Sequence, residues 1–338
     1  MLKSLTIGGK YVISRFWTHT PFILSHSVTS ACNCRCKICN IWKKKPNANE
    51  LTAREIFRML DEAKRLNFVA YVAWGGEPLL RPDILDILSH AHRLGFYTSI
   101  ITNGTLLKER AKEIAKIVDL TWVSLDYDSE YHSEMRGFAG TFEKTIEGIR
   151  ELRSAGGRVA VNCVLSKLNI DAVGKMGELA KRHQLKLSFD PMEVFPGSNE
   201  EYGLAPSQRK KVFSEVAVLK EKGYPILNSY EYARNQANLT YSCAQPFIFL
   251  DVSEDGKIRP FWCQRSNKML GDLRKQSLNE IIHSSSVKDF AKISQGCCIC
   301  THATAFETSI FYSAQRFLSN VYRLKNPYLR FIVDFALT

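Results

Sequence analysis

The chain has 338 residues, of which 45% are hydrophobic and 24% are charged, so it is not a disordered chain and it can bury a sizeable core. It contains no run of about 20 apolar residues, which a membrane-spanning helix needs, and its N-terminus lacks a secretory signal. We therefore expect a cytoplasmic protein. The net charge of +12 favours an anionic partner: nucleic acid, a phosphorylated substrate or a membrane surface.

Short β-rich runs alternate with amphipathic helical runs from residue 23 to about residue 190. Thr52 and Glu55 form a capping box at the first of these helices. Six β-then-α units in a row imply an α/β fold, in which a parallel sheet with right-handed crossovers curls into a partial (β/α)6 barrel of the TIM type. The predicted strands cover 24–30, 69–74, 97–102, 120–126, 159–165 and 185–190, and the predicted helices cover 52–67, 82–95, 107–118, 141–156 and 170–183.

The composition changes after the sixth strand. Residues 191–206 have the Pro and Gly content of a linker, a basic helix follows over 208–223, and 247–263 predicts a hairpin that turns at Glu254, Asp255 and Gly256. Residues 277–293 predict one helix. We therefore divide the chain into an N-terminal extension over 1–22, the barrel over 23–206, a small C-terminal domain over 207–302 and an aromatic, amphipathic segment over 303–338.

The ten cysteines fall mainly into two groups, which in a cytoplasmic protein indicates metal sites rather than disulfides. In the first group, Cys32, Cys36 and Cys39 have the spacing C-x3-C-x2-C. Three thiolates on one tight loop can hold three corners of a [4Fe–4S] cubane and leave one iron open to a ligand. A structural zinc loop that Cys34 or His26 completes is the alternative. Cys163, which stands alone, predicts a buried apolar position.

This loop resembles the signature loop of the radical S-adenosylmethionine (SAM) enzymes. Further motifs of that family follow in the same order: GGEP at 75–78, TNG at 102–104, SLD at 124–126 and MRG at 135–137. The resemblance covers about residues 22–195. It implies a [4Fe–4S] cluster that binds SAM and cleaves it reductively to methionine and a 5′-deoxyadenosyl radical, which takes hydrogen from an unactivated C–H bond of a substrate.

The resemblance also implies which residues contact SAM. Gly75 and Gly76 would let backbone carbonyls approach the methionine amine, and Glu77 would hold that ammonium directly. Ser124 would contact the SAM carboxylate or ribose, and Arg136 would pair with the carboxylate. The other expected contacts, which include two ribose candidates and a backbone group for adenine, are Ile38, Thr102, Asn103, Asp126, Asn162 or Asn169, and Met192.

The later cysteines resemble those of the auxiliary-cluster module called twitch, a shortened relative of the SPASM module. The order of strand, glycine turn and helix over residues 261–282 supports this resemblance. It implies a second [4Fe–4S] cluster with four protein ligands, which serves electron transfer or structure. Cys298 can replace Cys297 in this set, and a zinc site is the alternative. The implied ligands are Cys243, Cys263, Cys297 and Cys300.

These motifs do not specify the substrate. Residues 306–335 are aromatic, basic and amphipathic, which is typical of a helix packed on the barrel or of a helix at a membrane surface. The second interpretation would suit a lipid or isoprenoid substrate and a peripheral membrane contact. A peptide or a small metabolite is the alternative substrate, and a non-catalytic iron–sulfur or zinc protein that binds nucleic acid is a third hypothesis, although no nucleic-acid motif is present. Reductive cleavage also needs a one-electron reductant such as a flavodoxin or a ferredoxin.

Overall fold

The computed structural model describes residues 2–43, 45, 47–194, 199–236, 238–260, 263 and 265–312. Its strands form one sheet in the order β6-β5-β4-β3-β2-β1-β7-β8-β9. Strands β1 to β7 pair in parallel, whereas β8 and β9 are antiparallel to their neighbours. The strands are β1 (Ile23–Thr29), β2 (Ala70–Gly75), β3 (Tyr97–Thr102), β4 (Leu120–Ser124), β5 (Val159–Leu165), β6 (Lys186–Pro191), β7 (Phe249–Val252), β8 (Lys257–Arg259) and β9 (Gly271–Asp272).

Helices connect the parallel strands, so the predicted alternation of strands and helices is confirmed. The amphipathic face of the helix after β1 is buried as its spacing predicts, and the capping box of Thr52 and Glu55 is formed. The described helices are α1 (Leu2–Ile13), α2 (Ala53–Arg65), α3 (Ile84–Arg93), α4 (Leu107–Ile117), α5 (Tyr131–Arg136), α6 (Thr141–Ser154), α7 (Ala172–Arg182), α8 (Pro206–Glu221), α9 (Tyr230–Arg234), α10 (Leu278–Ile282), α11 (Ser285–Ser294) and α12 (Ala303–Tyr312).

The hairpin β7–β8 lies against the barrel because β7 pairs with β1, from Ile23 beside Phe249 to His26 beside Val252. The predicted turn is confirmed, since Ser253 N–H donates to the Lys257 carbonyl at 2.8 Å. The prediction of a single helix over 277–293 is wrong in one respect. The segment forms two helices, α10 and α11, because the Ser284 side chain accepts a hydrogen bond from Val287 N–H and starts a new helix there.

Residues near the two ends of the described chain contact each other. The hydroxyl of Ser14 donates to the Phe247 carbonyl at 3.0 Å and lies 3.2 Å from the Tyr312 hydroxyl. Helix α12 buries Phe306 and Ile310, as expected for a helix packed on the barrel. Residues 313–338, which carry most of the segment behind the lipid hypothesis, lie outside the described residues. Within the described ranges, no helix has the length and apolar character that crossing a membrane requires.

Candidate functional site

The predicted motifs meet at the carboxyl edge of the barrel strands, where parallel sheets of this kind carry their chemistry. The three-cysteine loop follows β1, and its backbone is held by hydrogen bonds from two sides. Gly76 N–H donates to the Thr29 carbonyl, and Glu77 N–H donates to the Ala31 carbonyl, both at 2.8 Å. On the other side, Arg35 N–H donates to the Arg136 carbonyl at 2.8 Å. The loop is therefore fixed by the GGEP and MRG turns.

Gly75 and Gly76 have a packing role beside the cysteine loop, and their expected contact with SAM stays a prediction. A Cβ atom at Gly75 would overlap the Thr29 carbonyl oxygen, and one at Gly76 would overlap the Ala31 carbonyl oxygen. Gly75 also has φ of +141°, a conformation that favours glycine. The space beside these glycines is thus filled by the chain that leads into the cysteine loop, and the glycines permit that close approach.

The TNG turn after β3 supports the loop through side chains. Asn103 Nδ2 donates to Asn33 Oδ1 at 2.8 Å and to Cys34 Sγ at 3.3 Å. Asn33 Nδ2 in turn donates to Thr105 Oγ1 at 2.8 Å. Cys34 is fully buried and is already engaged by Asn103. Cys34 also hydrogen-bonds the side chains of Cys32 and Cys36, so it lies within the C-x3-C-x2-C loop as their neighbour.

The thiols of the loop differ in how readily they ionise. A hydrogen bond from Cys34 lowers the pKa of Cys36, and the nearby Arg136 guanidinium lowers it further; Arg136 Nη1 lies 4.0 Å from Cys36 Sγ. A hydrogen bond from Cys34 also lowers the pKa of Cys32, whereas burial raises the pKa of Cys39. Thiolate is the form that binds metal, so Cys36 and Cys32 are suited to act as ligands.

Among the described residues, no three His, Cys, Asp or Glu side chains stand where a single metal ion would need them. A four-iron cubane holds its sulfurs farther apart than one ion does, so the donor set is the relevant test. Cys32 and Cys39 are partly exposed and Cys36 is next to a cation. Three cysteines on one fixed loop, with one of them beside a guanidinium, fit a [4Fe–4S] group.

Glu77 links two of the turns at this edge, and the expectation that it holds the SAM ammonium directly stays a prediction. Its side chain is fully buried. Thr102 Oγ1 donates to Glu77 Oε1 at 2.7 Å, and Asn103 N–H donates to Glu77 Oε2 at 2.7 Å. Burial raises the pKa of this carboxyl. Glu77 therefore links the GGEP turn to the TNG turn, and Thr102 takes part in that link.

Arg136 and Asp126, both expected to contact SAM, form an ion pair with each other. Arg136 Nη2 lies 2.6 Å from Asp126 Oδ2, and Asp126 Oδ1 accepts a hydrogen bond from Val164 N–H at 3.0 Å. The expected pairing of Arg136 with the SAM carboxylate, and the expected contact of Asp126 with the cofactor, stay predictions. The buried carboxylate of Asp126 holds the guanidinium beside the cysteine loop.

The other expected SAM contacts lie along the same edge. Ser124 is half-buried and pairs in register with Asn162 on β5, whose Oδ1 is buried without a hydrogen-bond partner in the described part of the chain. Asn169 is fully buried, and its amide donates to the Asp126 and Val164 carbonyls at 3.0 Å, so its donor atoms are already used. The side chain of Asn162 also hydrogen-bonds Asp190, and both asparagines stay predicted ribose contacts.

In two further residues that were expected to contact SAM, a backbone atom already takes part in a hydrogen bond within the protein. Met192 is buried, and its N–H donates to the Leu165 carbonyl at 2.8 Å. Its N–H is thus used within the fold. The Ile38 carbonyl, inside the cysteine loop, accepts a hydrogen bond from Asn199 Nδ2 at 3.1 Å. Residue Asn199 follows the sixth strand, so this bond joins the loop to the far side of the barrel.

The second cysteine group converges on one pocket. Cys298 is exposed and does not line this pocket. Of the two alternatives, Cys297 is therefore the residue that the fold directs into it. The pocket is lined by Tyr241, Cys243, Gln245, Cys263, Arg265, Phe290, Ile293, Ser294, Cys297 and Cys300.

Local contacts hold these four cysteines in place. Cys243 N–H donates to the Cys297 carbonyl at 3.0 Å, and the Tyr241 hydroxyl donates to the Cys300 carbonyl at 2.7 Å. A hydrogen bond from Cys300 lowers the pKa of Cys263, and backbone N–H groups of the following loop add to this. Burial raises the pKa of Cys243 to about 12. Four cysteines line the pocket, and the lowered pKa of Cys263 favours its thiolate form. This donor set fits a second iron–sulfur group.

The sequence analysis did not identify Asp251 as a buried ionisable residue of the sheet. Asp251 lies on β7 beside Ser25 of β1, and Trp74 Nε1 donates to Ser25 Oγ at 2.8 Å. Burial raises the pKa of Asp251 to about 7, although hydrogen bonds with Ser25 and Trp74 oppose the shift. A lone carboxylate within the apolar run FIFLDV was the signal that could have found it.

Comparisons with known proteins match the barrel part of the chain to one family. Residues 26–180 match the Radical SAM superfamily. An AdoMet-dependent heme synthase from Methanosarcina barkeri is 26% identical over 319 residues, which cover 84% of this chain and 90% of that protein. A PqqA peptide cyclase from Streptomyces rochei is 33% identical over 196 residues, or 57% of this chain and 52% of that protein.

A solved structure gives the same fold. Streptococcus suis SuiB bound to S-adenosylmethionine superposes with a TM-score of 0.68 at 16% identity, over 80% of this chain and 68% of that chain. The expected α/β fold, with a partial barrel of the TIM type, is confirmed by this likeness. Residues 26–180 thus form a domain that matches the radical SAM superfamily, whose enzymes use a [4Fe–4S] cluster and S-adenosylmethionine.

Proposed function

We propose that the protein takes hydrogen from a C–H bond of an organic substrate, with the SAM-binding cluster on Cys32, Cys36 and Cys39 and a second [4Fe–4S] cluster on Cys243, Cys263, Cys297 and Cys300. When bound, the first cluster and SAM supply one-electron cleavage to methionine and a 5′-deoxyadenosyl radical. The observation that carries the proposal is the convergence of four cysteines from three parts of the sequence on one pocket, beside a barrel whose β1 leads into the three-cysteine loop.

The residues around the first loop act by positioning. Glu77 couples two turns through its buried carboxylate, and Asp126 holds the Arg136 guanidinium within 4.0 Å of Cys36 Sγ. A fixed cation beside a thiolate stabilises negative charge on the sulfur. Ser124 and Asn162, which share a register position on β4 and β5, offer polar groups to SAM at the edge of the barrel.

The first candidate substrate class is a tetrapyrrole that carries carboxylates. The relative that matches over most of both chains is a heme synthase, and another match is an Fe-coproporphyrin III synthase. The net charge of +12 favours an anionic compound of this kind. A peptide is the second candidate, which the match to a PqqA peptide cyclase supports.

Anaerobic reconstitution tests the two clusters. The wild-type protein is expected to bind about eight iron and about eight sulfide per chain, and about four of each after the change of Cys32, Cys36 and Cys39 to Ala. The quadruple change of Cys243, Cys263, Cys297 and Cys300 to Ala should also leave about four. Zinc in place of iron, or unchanged iron in either variant, would contradict the proposal.

Reduction with dithionite in the presence of SAM tests the chemistry. The wild-type protein should form 5′-deoxyadenosine, and the triple variant should form none. The matched control is Cys163→Ser, because Cys163 is buried in β5 and belongs to neither cysteine group of the sequence. Coproporphyrin III and a PqqA-type peptide, added in parallel, separate the substrate classes by an absorbance change of the porphyrin or a mass change of the peptide.

A further inference from the structure

A groove lies on the surface between α7 and α8, and two glycines of α7 set its shape. A Cβ atom at Gly177 would lie 3.0 Å from Leu219 Cδ1, so the two helices pack closely there. One turn earlier, a Cβ atom at Gly174 would have nothing within 4 Å in the described part of the protein. The groove opens at Gly174 and has a volume of about 580 Å³.

Three apolar side chains line this groove. Val173 is buried, Leu219 is half-buried and Val218 is 46% exposed. Val218 stands in the interior of α8, directly after the buried Val216 and Ala217. An exposed valine beside an open groove gains free energy when a ligand removes it from water. The lining therefore favours a ligand that brings an apolar side chain.

The groove also has a net positive charge. Lys210 and Lys211 line it and are exposed, and neither has an ion-pair partner among the residues that the structure describes. Glu215 is the acidic residue of the lining. The first turn of α8 contains no acidic residue, so the positive end of its helix dipole adds to the charge of the two lysines. The groove therefore favours a ligand that carries carboxylates.

The two lysines lie towards the edge of the barrel that carries the cysteine loop. Helix α8 begins after the carboxyl end of β6, and the chain that follows α8 returns to the start of β6, where Leu227 N–H donates to the Leu187 carbonyl at 2.8 Å. Helix α8 has 16 residues and is about 24 Å long, so it spans the length of the strand. Its N-terminal turns, which hold both lysines, are thus at the carboxyl edge of the sheet.

We propose that the groove between α7 and α8 binds an acidic, amphipathic helical segment of a partner protein. The carboxylates of this segment lie beside Lys210 and Lys211, and its apolar side chains cover Val218 and fill the space beside Gly174. Helices bind grooves in this way through apolar side chains spaced three or four residues apart. A second copy of this chain is disfavoured as the occupant, because two chains of net charge +12 repel each other.

The test uses two labelled synthetic peptides of about 15 residues, a length at which a helix can form. Both carry Leu at every third or fourth position, and the remaining positions are mainly Glu in one peptide and mainly Lys in the other. Fluorescence anisotropy measures their binding to the reconstituted protein at low salt. The acidic peptide should bind saturably with one site per chain, and the basic peptide should not bind. Equal binding of both peptides, or no saturable binding of the acidic one, would overturn the proposal.

Two kinds of variant assign the binding to the groove. Lys210→Glu with Lys211→Glu should weaken binding of the acidic peptide at least tenfold at low salt. The matched control is Lys288→Glu with Lys292→Glu, which makes the same change of net charge at exposed positions of α11, outside the groove. The control should bind within about twofold of wild type. Equal weakening by both double variants would show attraction to overall charge, and it would overturn the proposal.

Gly174→Leu places a side chain in the groove and should also weaken binding at least tenfold, whereas the smaller side chain of Gly174→Ala should have a lesser effect. Thermal denaturation checks that both variants stay folded, which the open space at this position allows. Unchanged binding of the Gly174→Leu variant would overturn the proposal. None of the described lining residues belongs to either cysteine group, so formation of 5′-deoxyadenosine with dithionite should stay at the wild-type level in every groove variant.

Discussion

Arg136 and Asp126 form a buried ion pair, with 2.6 Å between Arg136 Nη2 and Asp126 Oδ2. The pair joins the end of α5 to the chain just after β4 and sets the guanidinium beside Cys36. A charge that is buried with its partner is tolerated, whereas the same charge without it is costly. The position of the cysteine loop therefore depends on a carboxylate that belongs to a different turn.

Asp126→Asn is expected to lower the free energy of unfolding by about 3 to 5 kcal/mol, because the Arg136 charge stays buried without its counter-charge. The amide can still accept the hydrogen bond from Val164 N–H, so the change isolates the charge. Denaturation of the apoprotein with guanidinium chloride measures this change in the free energy of unfolding. Glu147→Gln is the control, since the ion pair of Glu147 with Lys108 is exposed and its loss should leave stability unchanged; equal effects of both changes would contradict the prediction.

Gly76→Ala should lower the free energy of unfolding by about 1 to 3 kcal/mol, since the new methyl group would overlap the Ala31 carbonyl and push the cysteine loop away. Gly174→Ala is the matched control. Nothing lies within 4 Å of a Cβ atom at Gly174, which is inside α7, so this change should stabilise the protein by about 0.5 to 1 kcal/mol. Denaturation curves of the two variants should move in opposite directions; a shift in the same direction would contradict the assigned role of Gly76.

Cys297→Ala should remove about half of the bound iron, whereas Cys298→Ala should remove none, because Cys297 lines the pocket and Cys298 is exposed outside it. The two residues are adjacent, so the pair of variants is closely matched. Iron and sulfide analysis after anaerobic reconstitution decides between them. Loss of iron in the Cys298 variant alone would assign the ligand to the other cysteine.

Ionisation of Asp251 should lower the free energy of unfolding as the pH rises. Its pKa is about 7 in the folded chain and 3.8 ordinarily, so the folded state holds the proton more tightly than the unfolded state does. Stability should therefore fall by up to about 1.4 kcal/mol per pH unit between roughly pH 4 and pH 7 and level off above. Glu254 faces the same carboxyl and supports the shift, whereas hydrogen bonds with Ser25 and Trp74 oppose it.

Urea denaturation at several pH values, on wild type and on Asp251→Asn, measures this effect. The difference between the two proteins should change with pH in this range, since the amide cannot titrate. Glu307, whose burial raises its pKa to about 8, titrates in both proteins and cancels in the difference. Curves that run parallel from pH 5 to pH 8 would contradict the prediction.

The repeating part of the fold could be predicted because its signals are local. The periodicity of α2 and the capping box at Thr52 are written within a few residues. The pairing of β7 with β1 could not be predicted, since a short strand carries no mark of its neighbour. The role of Glu77 was missed for a similar reason: its partners Thr102 and Asn103 lie one strand away, and only the folded sheet brings them within 2.7 Å.

The pairing of β7 with β1 has a consequence for dissecting the protein. A fragment that ends with the linker after β6 would leave the backbone groups of β1 unpaired along one side, and such a bare edge recruits other chains. The strand exposed in this way leads directly into the three-cysteine loop. We therefore expect the two cysteine regions to fold as one unit. A fragment that holds the first region alone should not be a stable protein.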